Sequence, residues 1–202
     1  MPATTPLSPA DPAVRASHLK EDLAALASLG QEFDARVRAR ISPATLRTIE
    51  DATRVDWLPL ELNVECAEAV FAEGGEARSR AWARASFYLS LNAFFKPLME
   101  SVLRLFEPTP HRIYGLMPRG WPAVYRNCGV VSATEHAEAE SRITVRGLPL
   151  SLMNDAYLRA VAGTFECALE LAKVRGGVAV LPWHADERSA TWAATWRTER
   201  DA

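Results

Sequence analysis

The spacing of apolar residues changes near Gly129, and this change constrains the fold more than any other feature of the chain. From Leu60 to Phe71 apolar side chains recur every three or four residues, which is typical of a helix with one buried face. From Glu138 to Arg146 they alternate with polar residues, which indicates a strand with one solvated face. The sequence therefore predicts a helical N-terminal two-thirds followed by a sheet.

The segment after Gly129 predicts a β-β-α-β-β unit. Val130 to Ala137 is an antiparallel partner for the strand at Glu138 to Arg146, and a helix follows from about Asn154 to Val174. Two further strands are predicted at Val178 to Trp183 and Ala190 to Arg197. With 202 residues, the fold class that follows is α+β, with a small antiparallel sheet packed on helices.

The N-terminal part predicts a series of helices separated by breakers. Ser42-Pro43 supplies an N-cap and a first-turn proline, Gly74-Gly75 ends a helix, and Pro97 predicts a kink. The predicted helices begin at Asp11, near Phe33, at Ser42, at Leu60 (to Glu73) and at Glu76 (to Glu107), with short ones around His111 to Met117 and Trp121 to Asn127. Ala35 to Ile41 also alternates arginine with apolar residues, so a strand is an alternative there.

Composition limits where the chain works. Residues 1–12 are rich in proline and predict a disordered leader, which leaves 13–198 as a single α+β domain. The three cysteines are far apart and fit a reducing compartment, and no stretch resembles a signal peptide or a membrane span. A cytoplasmic protein is expected.

The charge balance speaks against a nucleic-acid partner. Lys and Arg number 23 against 25 Asp and Glu, a formal charge of −2, so no general field attracts polyanions. Phosphate-loop, dinucleotide-binding and nucleophile-elbow motifs are absent, and the histidines lack metal-ligand spacing. No catalytic or metal-ligating residue is predicted, and an enzyme with unrecognised chemistry is the third alternative for function.

One short segment concentrates residues suited to a ligand. Trp121, Tyr125, Arg126 and Cys128 fall within nine residues, and an arginine beside a tyrosine can orient a carboxylate. The competing interpretation is a seam where a helix meets a sheet. The candidate ligand-binding residues are Trp57, His111, Trp121, Tyr125, Arg126 and Cys128.

A second candidate surface lies in the most hydrophobic run of the chain. Its apolar face is broader than one helix needs, which favours contact with a protein partner or a second copy. The predicted interaction face comprises Phe87, Leu91, Phe94, Phe95 and Leu98.

The order of several loose motifs resembles a family of proteins of about this length, many of them myxobacterial paralogues of unassigned function. That family is in turn similar to the superfamily of H-NOX domains, 4-vinyl reductase domains and TRAPP subunits. The motifs are Trp57-Leu-Pro-Leu60, Trp121-x-x-x-Tyr125-Arg126-x-x-Gly129, Gly147-Leu-Pro149, the Tyr157 to Leu171 helix, Gly176-Gly-Val-x-Val180 and Trp196.

The resemblance implies a scaffold with either a small hydrophobic cavity or a dimerisation face. Tyr125-Arg126-Asn127 departs from the Tyr-x-Ser-x-Arg signature of haem-binding H-NOX domains, and the cysteines of the 4-vinyl reductase type are missing. No haem or other cofactor is therefore expected. The leading hypothesis is a non-catalytic regulatory or sensory module that binds a small hydrophobic molecule or a protein partner, and the alternative is an adaptor or homodimerising subunit without a cavity.

Overall fold

Two antiparallel sheets and seven α-helices make up residues 8–91 and 108–197, the part of the chain that the computed structural model describes. The helices are α1 (Ala16–Ser28), α2 (Gln31–Arg40), α3 (Pro43–Asp51), α4 (Leu60–Ser90), α5 (Pro110–Gly115), α6 (Met117–Val124) and α7 (Asp155–Leu171). The strands are β1 (Ala13–Arg15), β2 (Trp57–Pro59), β3 (Tyr125–Arg126), β4 (Val130–Ala137), β5 (Glu140–Arg146), β6 (Gly176–Val180) and β7 (Ser189–Trp196). The α+β fold class is confirmed.

The larger sheet has the strand order β4-β5-β7-β6, all antiparallel, with α7 between β5 and β6 in sequence. This is the predicted β-β-α-β-β unit. Ile143 and Trp192 face each other across β5 and β7 and are fully buried, while intervening residues are more exposed. The indole of Trp192 donates to the Leu158 carbonyl at 2.9 Å, which fastens α7 to the inner face.

The smaller sheet, with the order β2-β1-β3, was not predicted from the sequence. Val14 in the central strand pairs with Leu58 on one side and Tyr125 on the other. These strands are two or three residues long, too short to display an alternating pattern. The helix predicted from Asp11 therefore begins only at Ala16, after β1.

A sharp bend divides α4 at Gly75, whose φ of 63° and ψ of −166° are far from helical values. Asn63 and Ser86 lie on either side of it and both hydrogen-bond to Asp22. In a straight helix they would be roughly 35 Å apart along the axis, so the two arms, residues 60–74 and 76–90, fold back on each other. The predicted break at Gly74-Gly75 is confirmed at the level of the backbone.

The second arm of α4 packs closely on α7. A Cβ atom at Gly163 would lie 2.4 Å from the Arg80 carbonyl oxygen, so only glycine permits this approach. Arg80 donates to Glu166 of α7 at 2.6 Å, which ties the helices together beside the contact, and it also donates to Glu76 of its own arm at 2.7 Å. α4, α7 and α1 thus enclose the centre of the helical layer.

The structure decides one alternative and shifts one boundary. Residues 35–41, where a helix was predicted and a strand was the alternative, belong to α2 up to Arg40. The helix predicted to reach about Val174 ends at Leu171, Lys173 takes a positive φ of 57°, and β6 begins at Gly176 instead of Val178.

Within the two described ranges, no helix is long and apolar enough to cross a bilayer. The kink predicted at Pro97 falls outside those ranges.

Near the start of the described chain, Ser8 and Asp11 close a turn by hydrogen bonds to each other. The side-chain amide of Asn127 donates hydrogen bonds to the Pro9 and Asp11 carbonyls of this turn.

Candidate functional site

Helix α1 carries a carboxyl group into the core. Asp22 lies among Leu19, Leu23 and Leu26 on the buried face of the helix and is only 3% exposed. Buried carboxyl groups are uncommon unless they are hydrogen-bonded or have a charged partner. The surroundings of Asp22 therefore define the first candidate site.

Polar side chains from three directions converge on Asp22. The Ser86 hydroxyl donates to Oδ1 at 2.5 Å and the Asn63 amide donates to Oδ2 at 3.3 Å. Nε2 of His18, one turn earlier on α1, lies 3.6 Å from Oδ2. The indole of Trp82 donates to the main-chain carbonyl of Asp22 at 2.8 Å.

Burial decides the protonation of this group. Desolvation raises the pKa of Asp22 above its ordinary value, although the nearby His18 and the Ser86 hydroxyl act in the opposite direction. Asp22 thus holds its proton at a higher pH than an exposed aspartate, and in that state it can donate as well as accept a hydrogen bond.

A cavity of about 30 Å³ adjoins Asp22, between α1, both arms of α4, α7 and β3. The Tyr125 hydroxyl lies 3.3 Å from His18 Nε2 and 3.4 Å from Asn63 Oδ1. The buried Tyr157 hydroxyl interacts with that of Tyr125 but makes no hydrogen bond of regular geometry among the described residues. Burial raises the pKa of both tyrosines, so their hydroxyls stay protonated as donors at the cavity wall.

Small or apolar side chains make up much of the remaining cavity lining. They include Ala67, Ala83, Ala160 and Val161, together with the aromatic ring of Trp82. The space has room for about one or two water molecules, far less than the roughly 300–1,000 Å³ of a pocket for a drug-sized ligand. The site suits a very small guest that makes hydrogen bonds.

The structure divides the predicted ligand-binding residues between the two faces of the small sheet. Because Tyr125 and Arg126 are consecutive in β3, Tyr125 faces the cavity and Arg126 faces outward. Trp57 lies on the outer face with Arg126, whose guanidinium carbon is 5.2 Å from the indole centroid.

Trp121 and Cys128 support this region without reaching the cavity. The Trp121 ring lies 4.5 Å from that of Tyr125, and its indole nitrogen donates to the Cys128 carbonyl at 3.4 Å. Cys128 is 1% exposed, and burial raises the pKa of its thiol to about 11. It is an unreactive packing residue at neutral pH.

His111 lies apart from these residues, in α5 beside the larger sheet. Its Nδ1 is 2.7 Å from the Ser141 hydroxyl, its Nε2 is 3.2 Å from the Glu138 carbonyl, and its ring packs edge-on against Trp196. Both ring nitrogens are therefore engaged by the protein. The structure does not bring His111 together with the other candidate residues.

The predicted interaction face is described only at its start. Phe87 and Leu91 are half-buried, and Leu89 between them is 39% exposed. Phe94, Phe95 and Leu98 lie outside the described residues.

Sequence reasoning did not single out His18, Asp22, Asn63 or Ser86. A signal was present, because Asp22 interrupts an apolar stripe at helical spacing and His18 precedes it by four residues. The partners on α4 carry no such signal, since the bend at Gly75 brings them together. In residues 8–91 and 108–197, no group of three His, Cys, Asp or Glu side chains is placed to hold a metal ion.

Comparison with known proteins gives a fold but no sequence family. No protein-family model matches the chain, and neither does any curated protein. Solved structures of H-NOX proteins do match: the Fe(II) unliganded H-NOX protein from K. algicida has a TM-score of 0.63 at 9% identity, covering 92% of this chain and 97% of that one. An oxygen-binding H-NOX domain related to soluble guanylate cyclases gives 0.62 at 9% identity, covering 91% and 95%.

A third structure, a Cs H-NOX mutant, gives a TM-score of 0.60 at 10% identity, covering 91% of this chain and 97% of that one. The chain thus has an H-NOX-like fold over most of its length. The comparisons give no support to the narrower resemblance to the myxobacterial family.

Proposed function

We propose that this chain, with its H-NOX-like fold, is a sensory or regulatory module that binds a small polar ligand in the cavity beside Asp22. The fold supports a sensory role, since one of the similar structures is an oxygen-binding H-NOX domain. Fold alone does not specify function, so the cavity itself carries the proposal.

The observation that carries it is the buried Tyr157 hydroxyl, which makes no hydrogen bond of regular geometry among the described residues and lines a cavity within an apolar core. A buried hydroxyl that is left unsatisfied costs about 1–3 kcal/mol, so such groups are found where something else satisfies them. The cavity is mostly apolar, but His18, Asp22, Asn63 and Tyr125 also line it, and these polar groups favour a small hydrogen-bonding ligand over the hydrophobic one expected from the sequence.

The residues present do not fit a haem. The cavity of about 30 Å³ is an order of magnitude too small, and the Asp22 carboxyl occupies its wall. His111 has both ring nitrogens engaged and lies beside the other sheet. We therefore expect the ligand of this cavity to be held by hydrogen bonds from the side chains that line it.

Native mass spectrometry of the full chain, purified without added ligand, tests the proposal. We expect a mass increment over the 22.2 kDa chain in the wild type. Tyr157→Phe, which removes only the hydroxyl, should lose the increment and weaken the ligand's stabilisation of the fold.

Tyr114→Phe is the matched control. The Tyr114 hydroxyl is equally buried but donates to the Phe165 carbonyl at 2.9 Å, away from the cavity. This variant should lose about 1 kcal/mol of stability and keep the increment. A wild type without an increment, together with a Tyr157→Phe variant more stable than the wild type, would show that the cavity binds nothing.

An adaptor or homodimer is the second candidate function. Leu89, which is 39% exposed on α4, favours it, because an exposed large apolar side chain on a helix suits a protein contact. The same mass spectra report stoichiometry. A dimer without an increment, converted to a monomer by Leu89→Asp, would favour this candidate.

A further inference from the structure

Two arginines share one tryptophan on the outer face of the small sheet. Alternation along β1, β2 and β3 sends Val14, Leu58 and Tyr125 inward, and it sends the side chains on the other face outward. The guanidinium carbon of Arg15 lies 3.8 Å from the Trp57 ring centroid, and that of Arg126 lies 5.2 Å from the same centroid.

The two positive charges have no anionic partner among the described residues. Neither arginine has a carboxylate oxygen within 4.0 Å, whereas most of the arginines on the helices do. The acidic residues nearest in sequence make hydrogen bonds within their own turns. The Asp11 carboxylate accepts one from the Ser8 amide, and the Asp56 carboxylate accepts one from the Thr53 amide.

Main-chain carbonyls fix the two side chains in place. Arg15 donates to the Val55 carbonyl at 2.5 Å, and Arg126 donates to the Ser8 carbonyl at 3.5 Å. The Nε of Arg126 is buried yet donates to no group in the described chain. An unpaired N–H of a guanidinium is costly, and a charged acceptor is the partner that best offsets the cost.

We propose that Arg15, Trp57 and Arg126 form a binding site for a phosphate-type oxyanion. The shared ring keeps the two like charges near each other, and a dianion that contacts both guanidinium groups neutralises them. Guanidinium groups match the oxygens of phosphate with paired N–H donors, and the indole keeps the arginines oriented by cation–π contact. The site is on the opposite face of the sheet from the Asp22 cavity and does not depend on the function proposed for it.

Phosphate titration of the full chain at constant ionic strength tests the site. We expect saturable binding of inorganic phosphate by calorimetry, with a Kd in the millimolar range or below, and a matching rise in the melting temperature. Arg126→Gln should weaken binding at least tenfold, and Arg119→Gln, at an exposed arginine of α6, should leave it unchanged.

Acetate at equal concentration should bind more weakly than phosphate. Arg15→Lys keeps the charge but loses the paired donors, and it should weaken binding several-fold even if Arg126→Gln fails to fold. The absence of saturable phosphate binding in the wild type, equal binding by Arg15→Lys, or acetate binding as tightly as phosphate would overturn the proposal.

Discussion

At the scale of single residues, Asp22 shows most clearly what burial does to chemistry. Because its pKa is raised in the folded state, the folded protein retains a proton that the unfolded chain releases above about pH 4. The free energy of unfolding therefore falls as the pH rises through this window, until the folded-state pKa is passed. His18 and Glu21 are the charged neighbours that modulate the effect.

Asp22→Asn should remove this pH dependence. The amide keeps an acceptor for Ser86 and carries no charge, so the variant should gain stability relative to the wild type as the pH rises from 4 toward neutrality. The gain is about 1.4 kcal/mol for each unit by which the pKa is raised. Urea unfolding at several pH values measures it.

Glu68→Gln provides the comparison, because Glu68 is exposed on α4. This variant should follow the wild-type pH profile. An Asp22→Asn profile parallel to that of the wild type would contradict the assigned protonation.

The residue scale also shows how far the sequence could predict the site. Tyr125 and Arg126 were grouped because they are adjacent in the chain, yet adjacency in a strand places them on opposite faces. Asp22 was readable as a polar residue within an apolar stripe, whereas Asn63 and Ser86 became its partners only through the bend of α4. Contacts made by tertiary folding leave no local pattern.

At the scale of elements, the bend at Gly75 determines whether the site exists. Gly75→Ala should lower the free energy of unfolding by about 1–3 kcal/mol, because the φ and ψ of residue 75 lie in a region that essentially only glycine occupies. An added Cβ would meet nothing within 4 Å, so the cost is purely conformational. Chemical denaturation of the variant measures it.

Gly120→Ala is the matched control, since Gly120 is also open to a Cβ but lies within α6. Alanine is favoured over glycine by up to about 1 kcal/mol in a helix, so this variant should be as stable as the wild type or more so. If the two substitutions changed the free energy of unfolding equally, alanine would be tolerated at position 75 and the bend would not require glycine.

Elements differed in how predictable they were, and length explains the difference. The seven- and eight-residue strands β5 and β7 and the helix α7 each display several periods of apolar residues and were found near their observed bounds. Strands β1 and β2 have three residues each and pair across more than forty residues of chain, so only their tertiary contacts identify them.

At the scale of the whole molecule, the chain shares its path with H-NOX structures but little of their sequence. The fold follows H-NOX structures over more than nine-tenths of its length at 9–10% identity, so the path is kept although most side chains differ. The described interior is filled by Trp82, Tyr125 and Tyr157 around a cavity of about 30 Å³. At this identity, fold similarity shows the architecture of the chain and does not by itself specify what the chain binds.

Hemin titration tests whether this chain binds haem in addition to having an H-NOX-like fold. The wild-type chain should show no saturable one-to-one change in the Soret region, because the cavity beside Asp22 is far too small for a porphyrin and His111 is held by Ser141 and the Glu138 carbonyl. Any weak surface binding should be identical in His111→Ala. Apomyoglobin titrated in parallel shows that the hemin is competent to bind a protein histidine. A stoichiometric Soret band that disappears in His111→Ala would mean that α5 moves off the sheet to ligate iron, and the interior would then have to open by far more than its present volume.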